Sequence, residues 1–141
     1  MKRNFIRCGA LGWCLEIFWT GLHTLQTQDY RLMGHSSLWM FPIYGMAACI
    51  SPISKLLLEK KMPLFARGII YTAGIFLAEY GTGFILKKFN ICPWDYTGCP
   101  GNIQGLIRLD YAPVWFFTGI LYEKLLSANP SSDKAPQVSK P

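Results

Sequence analysis

Apolar residues gather in this chain into four runs, each close to the roughly 20 residues that carry an α-helix across a bilayer, with short polar stretches between them. The pattern predicts helices over Phe5–Leu25, Ser37–Leu58, Arg67–Leu86 and Leu109–Leu126. In the first, Gly9, Gly12, Glu16, Thr20 and His23 follow at steps of three and four, which places small and polar groups on one stripe. Leu11, Leu15, Phe18, Leu22 and Leu25 form a second stripe at the same spacing. In lipid the small stripe should face neighbouring helices and the leucine stripe acyl chains, because small residues let backbones approach closely.

The third run repeats this with Thr72, Glu79, Thr82 and Gly83, and the fourth aligns Ala112, Trp115, Gly119 and Glu123. Glu123 lies beside Lys124 near the helix end and reads as an interfacial residue. Ser36 or Ser37 is a candidate cap for the second helix and Asp110 for the fourth. Pro42 and Pro52 predict bends in the second helix, since each lacks a donor and crowds the carbonyl four residues back.

Composition supports a membrane protein: 51% of residues are hydrophobic and 16% charged, against about 25% charged in soluble domains. The fold class expected is all-α, a four-transmembrane-helix bundle over residues 1–126. Residues 127–141, rich in Pro, Ser and Lys, read as a disordered cytoplasmic tail. The first run lacks a small-x-small cleavage site at its close and reads as a retained helix.

The net charge of +6 raises nucleic acid as a partner, but the cations flank the apolar runs and form no stripe. Ten of the 14 lie near the N-terminus, around the second loop or in the tail, which predicts both termini in the cytoplasm and a chain integral to the plasma membrane.

One acid sits in the middle of each outward-running helix, Glu16 and Glu79, at similar predicted depth. Hydrocarbon neither solvates nor hydrogen-bonds a carboxylate, so each must be paired, protonated or wetted. We expect a polar centre of Glu16, Glu79, Thr20, His23 and Thr82, with the outer loop Pro93, Trp94, Asp95 and Tyr96 above it. Trp19, Trp39, Trp94, Tyr96 and Tyr111 fit either an interfacial aromatic belt or the wall of an outward pocket. Cys92 and Cys99 bracket the loop and are a candidate disulfide. His23, His35, Asp29 and Asp95 lack the close spacing of a helical metal motif, so no metal is expected. No nucleotide-binding or hydrolase motif is found, and neither a cofactor nor a catalytic set is assigned.

The segments FWTGLHTL, SLWMFPIYG, RGIIY, EYGTGFIL, CPWDY and GLIRLDYAPVWF, closed by Glu123, resemble in the same order the bacterial putative type IV ABC-transporter family called CmpB-like, with its vertebrate relatives known as transmembrane protein 229. The resemblance covers Phe5 to Leu126 and makes Glu79, Gly83, Pro93, Trp94, Asp95 and Tyr96 motif members. It implies a small multi-spanning helical protein, a permease-like or accessory transport subunit. The partners expected are the lipid bilayer, a second copy or another membrane subunit, and a separate ATPase chain. Two other readings stay open: a membrane-embedded enzyme acting on a lipid-like substrate, with Glu79 or Glu16 as general acid or base and His23 beside it, and a non-catalytic membrane assembly factor.

Overall fold

The computed structural model describes residues 1–128. The expected tail therefore lies, from residue 129 onward, outside the described residues. Helix α1 spans Lys2–His23 and ends in a 3₁₀ turn, Thr24–Thr27. After a loop, α2 (Met40–Gly45), a 3₁₀ stretch (Met46–Cys49) and α3 (Ile50–Glu59) follow without a break. Helix α4 spans Leu64–Lys88 and α5 spans Ala112–Ser127. Two helical runs, Met40–Glu59 and Leu64–Lys88, are long and apolar enough to cross a membrane. Helix α5, at 16 residues, is about 24 Å long.

The interruption at Met46–Cys49 has a local cause. Pro52 cannot donate to Ala48 and its ring crowds that carbonyl, so the ladder tightens one turn upstream. Pro42 makes no such bend. It occupies the first turn of α2, where backbone donors lack an intrahelical partner in any case. The expected caps also differ. The Ser37 hydroxyl accepts from Trp39 N at 3.3 Å ahead of the helix, Ser36 turns to another partner, and Asp110 is engaged by Arg108, leaving α2 and α5 without side-chain caps.

Helix α1 packs on α2, and α5 packs on both α4 and α3. The core is formed by Cys8, Ala48, Ile50, Leu57, Tyr71, Ile120, Tyr122 and Leu126. On α1, Gly9 and Gly12 are buried, and a β-carbon on Gly12 would collide with Tyr44 and the Tyr122 hydroxyl. The outer surface is strongly apolar: Phe18 is 66% exposed, Leu77 74% and Phe117 72%. Water would penalise such a surface and lipid does not.

The long connection after α4 is partly ordered as β-structure, where the sequence pattern suggests only loop. Strands β1 (Asn102–Ile103) and β2 (Ile107–Arg108) pair antiparallel, Asn102 opposite Arg108 and Ile103 opposite Ile107. Their turn places Gln104 and Gly105 at positive φ. Any side chain at Gly105 would strike Thr97 Oγ1 and Asp95 Oδ1, so glycine here lets the Pro93–Tyr96 segment lie against the ribbon.

Candidate functional site

Glu79 faces inward from α4, between the loop after that helix and the start of α5. Its Oε1 accepts a hydrogen bond from the Tyr96 hydroxyl at 3.1 Å. Its Oε2 is buried without a hydrogen-bond partner, as is the indole N–H of Trp115 on α5, which lies beside the same carboxylate. Thr82 does not reach the acid's carboxylate; its hydroxyl donates to Ala78 O at 2.6 Å, the common way for a threonine to satisfy itself inside a helix.

Tyr96 is fixed from several directions. Its amide donates to Gly105 O at 2.9 Å. Its ring meets Tyr111 edge-on at 5.9 Å, and Tyr111 in turn meets Trp19 and Trp115, each at 6.2 Å. Burial, and then the Glu79 carboxylate, push the Tyr96 hydroxyl's pKa upward, which keeps it a donor. The Arg108 guanidinium lies 4.5 Å over the Tyr111 ring and 5.9 Å from that of Tyr96. Its Nε donates to Asp110 Oδ1 at 3.0 Å, which holds that carboxyl below the usual range.

The rest of the loop motif is structural. The Trp94 indole N–H donates to Leu106 O at 3.0 Å and its ring covers Gly83. Asp95 accepts from Thr97 Oγ1 at 2.6 Å and Thr97 N at 3.0 Å, and these bonds hold its carboxyl below the usual range. Pro93 is exposed at the turn. Cys92 and Cys99 are both free thiols, and Cys92 Sγ faces Trp94 O at 3.2 Å.

Glu16 has a separate setting on α1. Ser36 Oγ donates to its Oε2 at 2.9 Å, and the Tyr44 hydroxyl lies beside it. Among the described residues no hydrogen bond joins the Glu16 and Glu79 carboxylates; each is answered by its own tyrosine. Thr20 bridges backbone: its hydroxyl accepts from His35 N at 2.9 Å and has Glu16 O and His35 O, each at 2.9 Å, as alternative acceptors for its one proton, and His23 is exposed at the helix end.

A second polar cluster escapes the sequence pattern. Glu123 is only 6% exposed, not interfacial as expected. Arg67 grips it with two prongs, Nε to Oε2 at 2.9 Å and Nη2 to Oε1 at 3.0 Å, and the Tyr71 hydroxyl donates to Oε2. Arg67 Nη1 also donates to Met62 O at 2.7 Å, tying the turn before α4 to the cluster. The stripe Ala112, Trp115, Gly119 and Glu123 holds the missed signal: it faces α4, so its last member is buried too.

The profile of the family described as "Putative ABC-transporter type IV" matches residues 3–137. No solved structure matches the chain.

Proposed function

The chain belongs to the putative type IV ABC-transporter family, and from that premise we propose that it is a multi-pass membrane subunit of a transport system with an acidic centre at Glu79. The observation that carries this reading is the setting of that carboxylate. It lies on the inward face of a helix long and apolar enough to span a bilayer, held by one hydroxyl, with its second oxygen unsatisfied. An ionisable group kept in such surroundings is expensive and marks a substrate or ion path by default.

In the full reading all four helical segments span the membrane, the two longer connections lie outside, and both termini are cytoplasmic in the plasma membrane. Tyr96 and the Pro93–Tyr96 segment close the outer side of the Glu79 centre, and Glu16 with Tyr44 and Ser36 forms a second polar station. The absence of nucleotide-binding motifs assigns ATP hydrolysis to a separate chain. The test is purification of the intact assembly in mild detergent with identification of the chains that come with it, then flux in proteoliposomes. The expected result is a co-purifying ATPase and ATP-dependent flux that Glu79→Gln abolishes without disturbing assembly. An assembly containing no ATPase, with Glu79→Gln indistinguishable from the parent chain, would overturn the reading.

A further inference from the structure

The Arg108 guanidinium occupies an aromatic corner beside the start of α5. The Tyr96 and Tyr111 rings stand at 76° to one another with centroids 5.9 Å apart, and the cation lies over both, 4.5 Å from Tyr111 and 5.9 Å from Tyr96. Trp19 and Trp115 meet Tyr111 at 87° and 82°, which fixes the plane of that ring independently of the cation. Asp110 takes the edge of the guanidinium, through Nε to Oδ1 at 3.0 Å and Nη2 to Oδ2, and its face is left to the rings. Behind the corner, the Tyr96 hydroxyl donates to Glu79 Oε1. A phenol that donates to a carboxylate gains electron density over its ring, the face that attracts a cation. Two carboxylates, Asp110 through Arg108 and Glu79 through Tyr96, thus bear on the corner against one cation.

We propose that the Tyr96–Tyr111 corner is a binding site for an alkylammonium cation, seated where Arg108 lies here, and that Arg108 is its tethered competitor. The site stands on the outer side of the Glu79 centre, so it rests on the transport reading above and gives that centre a substrate class. Charge and hydration choose the class. An anion would meet two carboxylates and two ring faces, all of which repel it. A small inorganic cation would surrender its hydration shell to rings that offer no lone pairs, whereas a methylated ammonium is weakly hydrated and matches the aromatic faces. Arg108 is placed to yield. Its side chain is 20% exposed and that of Asp110 47%, so the pair reaches solvent and the guanidinium can leave the rings while keeping its carboxylate. A ligand seated in its place is linked to Glu79 through the Tyr96 hydroxyl. The same ammonium chemistry occurs in free amines and in the choline headgroup of a phospholipid.

The test titrates tetramethylammonium chloride into the purified full chain at constant ionic strength, with tryptophan fluorescence as the readout because Trp19 and Trp115 border Tyr111. Saturable binding is expected, shared by choline and absent for sodium and for the neutral carbon isostere of choline. Arg108→Ala should tighten binding roughly tenfold by removing the competitor, a gain that misfolding cannot mimic. Tyr111→Leu should weaken it roughly tenfold and Tyr111→Phe should restore it, because the ring face and not the hydroxyl holds the cation. An equal response to the neutral isostere, an Arg108→Ala protein that binds no more tightly than its parent, or a Tyr111→Leu protein that binds as well would each overturn the proposal. Repeating the titration in nanodiscs of phosphatidylcholine and of a neutral glycolipid separates the two sources, and either result keeps the site: weaker binding in phosphatidylcholine assigns it to the lipid headgroup, equal binding to a soluble amine. A chain that fails to bind tetramethylammonium but co-purifies with an ATPase loses the cation site and keeps the transport role. One that binds it without an ATPase or flux does the reverse.

Discussion

Arg67 and Glu123, 56 residues apart, form a two-pronged ion pair at the junction of α4 and α5, with contacts of 2.9 and 3.0 Å and side chains only 12% and 8% exposed. Each charge is costly to bury alone and tolerable only because the other is there. Glu123→Gln should therefore destabilise the protein by about 3–5 kcal/mol, read as a lower thermal midpoint in detergent. Arg67→Lys should also destabilise it, since a single ammonium cannot reproduce the planar fork or also reach Met62 O. The double change Arg67→Met with Glu123→Leu should recover most of the loss, because no buried charge is then left unpaired.

Tyr96 connects the outer loop to the intramembrane acid. Tyr96→Phe keeps the aromatic packing but removes the hydroxyl bonded to Glu79, leaving the Trp115 indole N–H as the remaining donor beside the carboxylate. The expected cost is about 1–3 kcal/mol. Exchange of the Tyr96 amide, bonded to Gly105 O at 2.9 Å, should accelerate at least several-fold as the ribbon loosens. Unchanged exchange would show that the loop is held by Trp94 and Gly105 alone.

How much of this was legible in the residues depends on the periodicity of each element. The stripe on α1 faces inward through Gly9, Gly12 and Glu16 because those residues allow α2 to approach, and the leucine stripe from Leu15 to Leu25 is largely exposed. His23 departs because it falls at the last position of α1, beyond the packed region. The partners of the acids were not legible. Ser36 and Tyr44 reach Glu16 across a chain reversal, and Trp115 reaches the Glu79 neighbourhood from another helix, relationships that no local spacing encodes. Glu123 shows two local signals in conflict: its place on the small-residue stripe was the better guide, and its adjacency to Lys124 the poorer. The β1–β2 ribbon depends on side-chain turns made by Asp95 and Asn102, which leave little trace in four residues of strand.

Glycines on the two faces of the bundle should respond oppositely to alanine. Gly12→Ala drives a methyl group into Tyr44 and the Tyr122 hydroxyl, and overpacking of that kind costs typically about 1–3 kcal/mol. Gly74→Ala meets nothing and should leave the subunit unchanged or stabilise it by up to about 1 kcal/mol through helix propensity. Thermal unfolding of the two variants side by side in detergent checks the sign of each. A Gly12→Ala protein as stable as its parent would mean that α1 and α2 are packed less closely than described.

The proposed four-span topology makes a prediction that the native thiols can report. It places Cys92 and Cys99 in an outer connection and the turn at Lys60 and Lys61 on the cytoplasmic side. Both loop cysteines are half-buried and free in the structure, so a membrane-impermeant maleimide applied to intact cells should label them. A cysteine placed by Lys60→Cys, in a background where the native cysteines are replaced by serine or alanine, should react only after permeabilisation. If Cys92 and Cys99 close into a disulfide outside the cell, labelling will require prior reduction, and Sγ of Cys92 must first turn away from Trp94 O. Labelling of Lys60→Cys in intact cells, with Cys92 and Cys99 protected even after reduction, would invert the topology and place the Glu79 centre beneath the inner face.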